Sequence, residues 1–252
     1  MKYFPLVYLA GVFLMVVFVA TLDMQGPVKK AQAQQQPTVS EKLKARQDDF
    51  ADKASQQKQD DYDEGIKLVE ESGVLETAKN VGDTVPDFTL PNALGQEISL
   101  SALLEQGPVV LIWYRGEWCP YCNIYLEDIQ AHAGEFEALG AQLVAISPAL
   151  PDQSWSAQDK EDLRIHVLSD EGNIVAEKFG VAYHLPEKIA EYYQKGFGLH
   201  EVNGDESDVL PLAASYVIDQ DGKVSYAYLN ADYRQRAETS VLLDHVKMLY
   251  EK

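Results

Sequence analysis

Cysteine is nearly absent from this chain: two residues, Cys119 and Cys122, among 252. A disulfide framework is excluded, and any thiol chemistry has one place to happen. Basic charge is also scarce, with 21 Lys and Arg against 40 Asp and Glu and a formal net charge of -19. Such a chain lacks the clustered cations that displace counterions from phosphates, which argues against nucleic acid as a partner. The five histidines, at 132, 166, 184, 200 and 245, make no close pair, so no metal site is expected. Neither a Walker loop nor a dinucleotide glycine pattern is present, and no internal repeat; no cofactor is expected.

What is present is apolar and aromatic: 46% hydrophobic residues with 14 Tyr, enough for a sizeable core. Phe4 to Leu22 runs 19 residues without a charge, just long enough to cross a bilayer as a helix. The small-x-small site Ala31-Gln32-Ala33 follows. Residues 1–33 therefore read as a cleaved signal peptide or as an N-terminal membrane anchor with linker. Either way the remainder is expected outside the cytoplasm, periplasmic or secreted, or held at the inner membrane through residues 4–22.

Residues 34–80 read as a helical extension, opened by the capping-box spacing Thr38-Val39-Ser40-Glu41 and closed near Gly73. Its apolar residues are sparse before Tyr62, so only its later part is expected to pack. Residues 81–252 read as the main domain. Val109 to Tyr114 is an unalternating apolar run, as a central parallel strand covered on both faces requires. A helix from about Cys119 to Leu139, a second buried strand Leu143–Ile146, a hairpin through Asp221-Gly222 and a helix from Glu238 to Tyr250 follow. Strand, helix, strand, hairpin and terminal helix is the order of the thioredoxin fold. The expected class is α/β, a three-layer α/β/α sandwich with an N-terminal helical extension and an insert at 183–212.

The cysteines fall at i and i+3 in the first turn of the helix, where Cα atoms lie about 5 Å apart, within reach of a disulfide. Free amide hydrogens and the helix dipole lower a thiol pKa there, which makes Cys119 the attacking thiolate. Cys119 is placed at the open end, and Cys122, one turn deeper, resolves the mixed disulfide. Pro120 suits the first helical turn and stiffens the link. Arg115, four residues earlier, either adds positive charge or stays a solvated loop charge; Glu117 opposes it. Trp118 and Tyr121 complete the supporting set. Tyr183, Tyr192, Tyr193 and Phe197 either line a lip over Cys119 or, the reading favoured, cover the insert's own small core.

Glu117-Trp118-Cys119 resembles the thioredoxin active-site segment, and Cys119-Pro120-Tyr121-Cys122 is the glutaredoxin sequence. Trp113 stands where thioredoxin has a buried Asp. More broadly, residues 81–250 resemble the peroxiredoxin-like branch of the alkyl hydroperoxide reductase and thiol-specific antioxidant (AhpC/TSA) superfamily. The motifs are Gly82-Asp83-x-x-Pro86-Asp87-Phe88, Tyr114-Arg115-Gly116, Ala145-Ile146-Ser147-Pro148, Leu168-Ser169-Asp170, Phe179-Gly180 and Val217-Ile218-Asp219. The chain departs from peroxiredoxins in lacking Pro seven and Thr three residues before either Cys, and an Arg at the approach to the late strand, Leu210 to Ser215. It has Ala213 where the thioredoxin cis-Pro would stand, so a trans bond is expected there.

The resemblance implies an oxidoreductase acting on protein or small-molecule disulfides, and on peroxides, with an external thiol reductant. The alternative is a redox-inert binding module of the same fold. A copper chaperone fits less well, because its cysteines are separated by three residues and only His184 or His200 could assist.

Overall fold

The computed structural model describes Met1 and residues 37–154 and 163–251; the apolar run 4–22 and most of the expected helix at 153–163 lie outside them. Among the described residues no helix is long and apolar enough to cross a membrane.

Two helices lead, α1 (Val39–Lys53) and α2 (Gln56–Glu70), followed by the short α3 (Val74–Thr77). Thr38 caps α1 through a reciprocal bond with Glu41. Contrary to expectation, α1 packs from its first turn. Val39 and Leu43 are buried, and Lys42 Nζ reaches Asp128 Oδ1 at 2.5 Å. The backbone amides of Val39 and Ser40 donate to the Glu238 carboxylate at 3.2 and 2.9 Å. Few apolar residues suffice because charged groups make the remaining attachments.

The hairpin β1 (Thr89–Pro91) and β2 (Glu97–Ser99) and the helix α4 (Leu100–Leu104) precede the central strand β3 (Val109–Trp113), all five of whose residues are buried. Then come α5 (Pro120–Ala131), α6 (Ala133–Ala138), β4 (Gln142–Ser147), β5 (His166–Ser169) and α7 (Ile174–Phe179). The expected single helix over 119–139 is thus two. His132 leaves helical geometry (φ -100°, ψ 5°), and Gly134 just beyond it weakens continuation.

The insert is an antiparallel pair, β6 (Ala182–His184) and β7 (Val209–Pro211), enclosing α8 (Glu187–Phe197) and α9 (Leu199–Asn203). The chain ends with β8 (Ser215–Ile218), β9 (Val224–Tyr228) and α10 (Thr239–Met248). The main sheet has the order β5-β4-β3-β8-β9, with β3, β4 and β5 parallel and β8 and β9 antiparallel. This is the expected α/β thioredoxin-like order. Asp170 caps α7, accepting from the Val175 and Ala176 amides. No peptide bond among the described residues is cis, including the one before Ala213.

Candidate active site

The loop from Tyr114 to Cys119 leaves the C-terminal end of β3 and enters α5, the edge of an open α/β sheet where sites are built. Gly116 makes the turn possible. Its φ is 142°, and a Cβ there would sit 2.4 Å from Trp118 Nε1, so a side chain would displace the Trp118 ring. Cys119 is the N-cap of α5 with Pro120 in the first turn, and the Cys122 amide donates to Cys119 Sγ at 3.4 Å. This is the anion-stabilising position expected from the spacing.

Both thiols are reduced and fully buried, which corrects the placement of Cys119 at an open end. Arg115 is only 2% exposed, which overturns its reading as a solvated charge. Its Nη2 donates to Cys119 Sγ at 3.3 Å and its Nη1 to the Tyr193 hydroxyl at 2.6 Å. Its guanidinium lies 3.4 Å from the centroid of the Tyr233 ring. The second sulfur has an arginine too: Arg236 Nη2 lies 3.4 Å from Cys122 Sγ. Arg236 is buried, its Nη1 donating to the Tyr233 and Gln235 carbonyls.

Sequence reasoning missed Arg236, which lies 114 residues from Cys122 along the chain in an unpatterned segment between β9 and α10. The only hint was that residues 230–238 carry charge without helical or strand spacing. Arg115 and Arg236 bring to the sulfurs the positive charge that the approach to β8 does not supply.

Burial, the largest single influence on Cys119, opposes its ionisation. The hydrogen bond from Cys122 and the charges of Arg115 and Arg236 outweigh it and hold the Cys119 thiol well below the ordinary range. Burial also dominates at Cys122, and there the nearby Cys119 sulfur adds to it, so that thiol is pushed well up. The two sulfurs titrate as one coupled pair in which Cys119 carries the negative charge.

The insert covers this pair. Trp118, half-buried, lies against Tyr193 with centroids 4.9 Å apart and stacks on Phe197 at 5.0 Å. Tyr193 and Phe197 are therefore part of the lip over Cys119, against the favoured reading. Tyr192, by contrast, faces α2, stacking on Tyr62 and bonding Asp61. Tyr121 packs edge-on against Tyr233 at 5.6 Å. Trp113 is fully buried and packs on Phe179 at 5.6 Å. The histidines remain apart from this site, and among the described residues no group of His, Cys, Asp and Glu is arranged to hold a metal ion.

The sequence profile described as the AhpC/TSA family matches residues 81–227. The chain belongs to the AhpC/TSA family. Peroxiredoxin Bcp of Escherichia coli K12 is 27% identical over 167 residues, covering 66% of this chain and 94% of that protein. The chloroplastic peroxiredoxin Q of Sedum lineare is 30% identical over 168 residues, covering 66% and 78%. Among solved structures, peroxidoxin BcpB from Mycobacterium tuberculosis matches with a TM-score of 0.53 at 26% identity, over 68% of this chain and 98% of that one. Enterococcus faecalis AhpC, at 16% identity and a TM-score of 0.52, shares the fold. This AhpC/TSA chain is an oxidoreductase with a peroxiredoxin-like, antioxidant function. Four features around its site lie outside the matched residues: α1, α2, Tyr233 and Arg236.

Proposed function

We propose that the chain is a two-cysteine thiol peroxidase and thiol–disulfide oxidoreductase in which Cys119 attacks and Cys122 resolves. The observation that carries this reading is the unequal treatment of the two sulfurs. Cys119, at the helix N-terminus, is hydrogen-bonded by Arg115 and held as thiolate, while Cys122 one turn on stays protonated.

The Cys119 thiolate attacks one peroxide oxygen; the O–O bond breaks, the other oxygen leaves as water or alcohol after taking a proton, and Cys119 becomes a sulfenic acid. The Cys122 thiol then displaces that oxygen as water, forming the Cys119–Cys122 disulfide. An external thiol restores the dithiol. With a disulfide as substrate the first step gives a mixed disulfide, resolved in the same way. The apolar run from Phe4 to Leu22 supports placing this activity outside the cytoplasm, at or released from a membrane.

The test treats Cys122→Ser and Cys119→Ser with hydrogen peroxide and a sulfenic-acid-specific nucleophile, followed by mass spectrometry. Cys122→Ser should accumulate a labelled Cys119, and Cys119→Ser should not label at Cys122. Rapid labelling of Cys122 in Cys119→Ser reverses the roles; labelling of neither variant sinks the proposal.

A further inference from the structure

A cleft of about 210 Å³ opens beside the loop that carries Cys119; neither sulfur lines it, but Arg115, Trp118 and Pro120 do, and its lining has an unusual composition for this chain. Four of its twelve lining residues are cationic, Arg46, Lys58, Arg115 and Arg234, and none is acidic, in a protein with nearly twice as many acidic as basic residues. The rest of the wall is Pro120 and aromatic rings, among them Phe50, Tyr62, Trp118 and Phe197. The floor is formed by Arg115, Trp118 and Pro120, the residues that flank Cys119.

The cations are not equally occupied. Arg234 is held by Asp232 and Asp63 at 2.8 Å each. Arg46 meets Asp49 at 3.3 Å, an i,i+3 surface pair of little strength. Lys58 is exposed and has no carboxylate partner among the described residues; its ammonium lies over the Tyr192 ring at 5.6 Å. Arg115, buried on the floor, keeps its Nε without a hydrogen-bond partner among the described residues. The cleft therefore presents positive charge without a carboxylate partner at Lys58 and, once the pair has closed and the Cys119 thiolate is gone, at Arg115, between apolar walls. Arg46, Phe50, Lys58, Tyr62, Tyr233 and Arg234, half of the lining, lie outside residues 81–227, which match the family.

We propose that this cleft binds the reductant, and that the reductant is a small thiol carrying carboxylates. The inference rests on the function proposed above. Hydrogen peroxide is small and neutral and gains nothing from a cationic field. A thiol must ionise to attack a disulfide, and nearby cations both draw in its carboxylates and lower its pKa. Cys119 is fully buried, so Trp118 and Pro120, which line the cleft on either side of it in the chain, must shift before the incoming thiolate attacks Cys119 Sγ of the closed pair. The Cys119–Cys122 bond breaks, Cys122 leaves as a thiolate and takes up a proton, and the reductant stays bonded to Cys119. A second thiolate attacks the reductant's sulfur, releasing the reductant's disulfide and the Cys119 thiolate. Two thiols have then supplied the two electrons.

The experiment compares kcat/KM for glutathione, which is anionic, with that for cysteamine, which is cationic, in peroxide turnover by the full chain. Wild type, Arg46→Glu/Lys58→Glu and a remote control, Lys247→Glu, are measured side by side. Binding of S-methylglutathione, which has no free thiol, is followed by tryptophan fluorescence. The glutathione-to-cysteamine ratio should fall about tenfold in the double variant, fade with added salt and hold in the control, with S-methylglutathione binding weakened in parallel. An unchanged ratio and unchanged binding overturn the proposal. So does an effect of the double variant on the rate of Cys119 sulfenate formation instead, which would assign the cleft to a peroxide. Failure of hydrogen peroxide to oxidise Cys119 overturns the underlying reading and, with it, this one, and is read independently of any thiol.

Discussion

At the scale of single residues, the site is set by two buried arginines, each on its own sulfur. Arg115 touches Cys119, and its charge helps to hold that thiol low. The Cys119 thiolate is therefore kept as pH falls below the ordinary thiol range and lost only on passing the depressed pKa. Arg115→Met removes the closest positive charge, so the loss comes at higher pH and peroxide attack at neutral pH slows by about tenfold or more. Arg236→Met acts chiefly on the other sulfur, which it touches, and more weakly on Cys119, which its charge also helps to hold down: Cys122, already pushed up by burial, ionises less readily. Sulfenate forms in that variant but persists longer before the disulfide closes. Stopped-flow oxidation across a pH series, with sulfenate trapping at timed intervals, separates the two. Profiles unchanged from wild type in both variants would mean that the arginines act only by packing. Cys119 and Cys122 were legible in the sequence because two cysteines at helical spacing before a helix admit few readings. Arg236 was not, because no local spacing connects it to residue 122.

At the scale of elements, the site depends on α2 and α8 lying against each other over the end of β3. Gly65 in α2 is the contact that sets their separation. A Cβ at this position would lie 2.6 Å from Ile189 Cγ1 on α8. Gly65→Leu should cost about 1–3 kcal/mol in urea unfolding, despite leucine's better helix propensity of roughly 1 kcal/mol. It should also raise the accessibility of Cys119 to alkylation, because Tyr193 on α8 is the residue bonded to Arg115. Unchanged stability and alkylation would show that the helices are free to separate. The sequence marked α2 as helical through its periodicity, but not α8, which lies in the insert at 183–212 where no regular element was expected. That they face one another at a glycine is decided by which surfaces remain uncovered once the sheet has formed. The break at His132 likewise escaped the apolar stripe, which runs on in register through both α5 and α6.

At the scale of the whole molecule, the buried guanidiniums should favour the reduced state. Closing so short a disulfide loop stabilises the fold by about 2 kcal/mol. It also removes the anion beside Arg115, and a buried charge stripped of its partner costs about 3–5 kcal/mol. The reduced protein should therefore resist urea better than the oxidised one by about 1–3 kcal/mol, and the pair should be an oxidising one. Matched unfolding curves with and without a reductant check this; a more stable oxidised form would show that Arg115 finds compensation elsewhere. The same scale explains the charge pattern. The chain as a whole carries a net charge of -19, yet the charged residues lining the cleft are all cationic.

The sequence by itself determined the thioredoxin-like order of elements, the family and the position of the cysteine pair, because each is written in contiguous patterns. These are an unbroken apolar strand, a proline in the first helical turn and motifs in fixed order. Only the tertiary structure decided that both sulfurs are buried, that each has its own arginine, and that α1, α2 and the segment before α10 roof the site. Apart from the Arg115–Cys119 bond, which joins residues four apart, those facts rest on contacts between segments 78 to 199 residues apart. Where such segments meet is fixed by the packing of the whole chain and leaves no periodic mark on any one stretch of it.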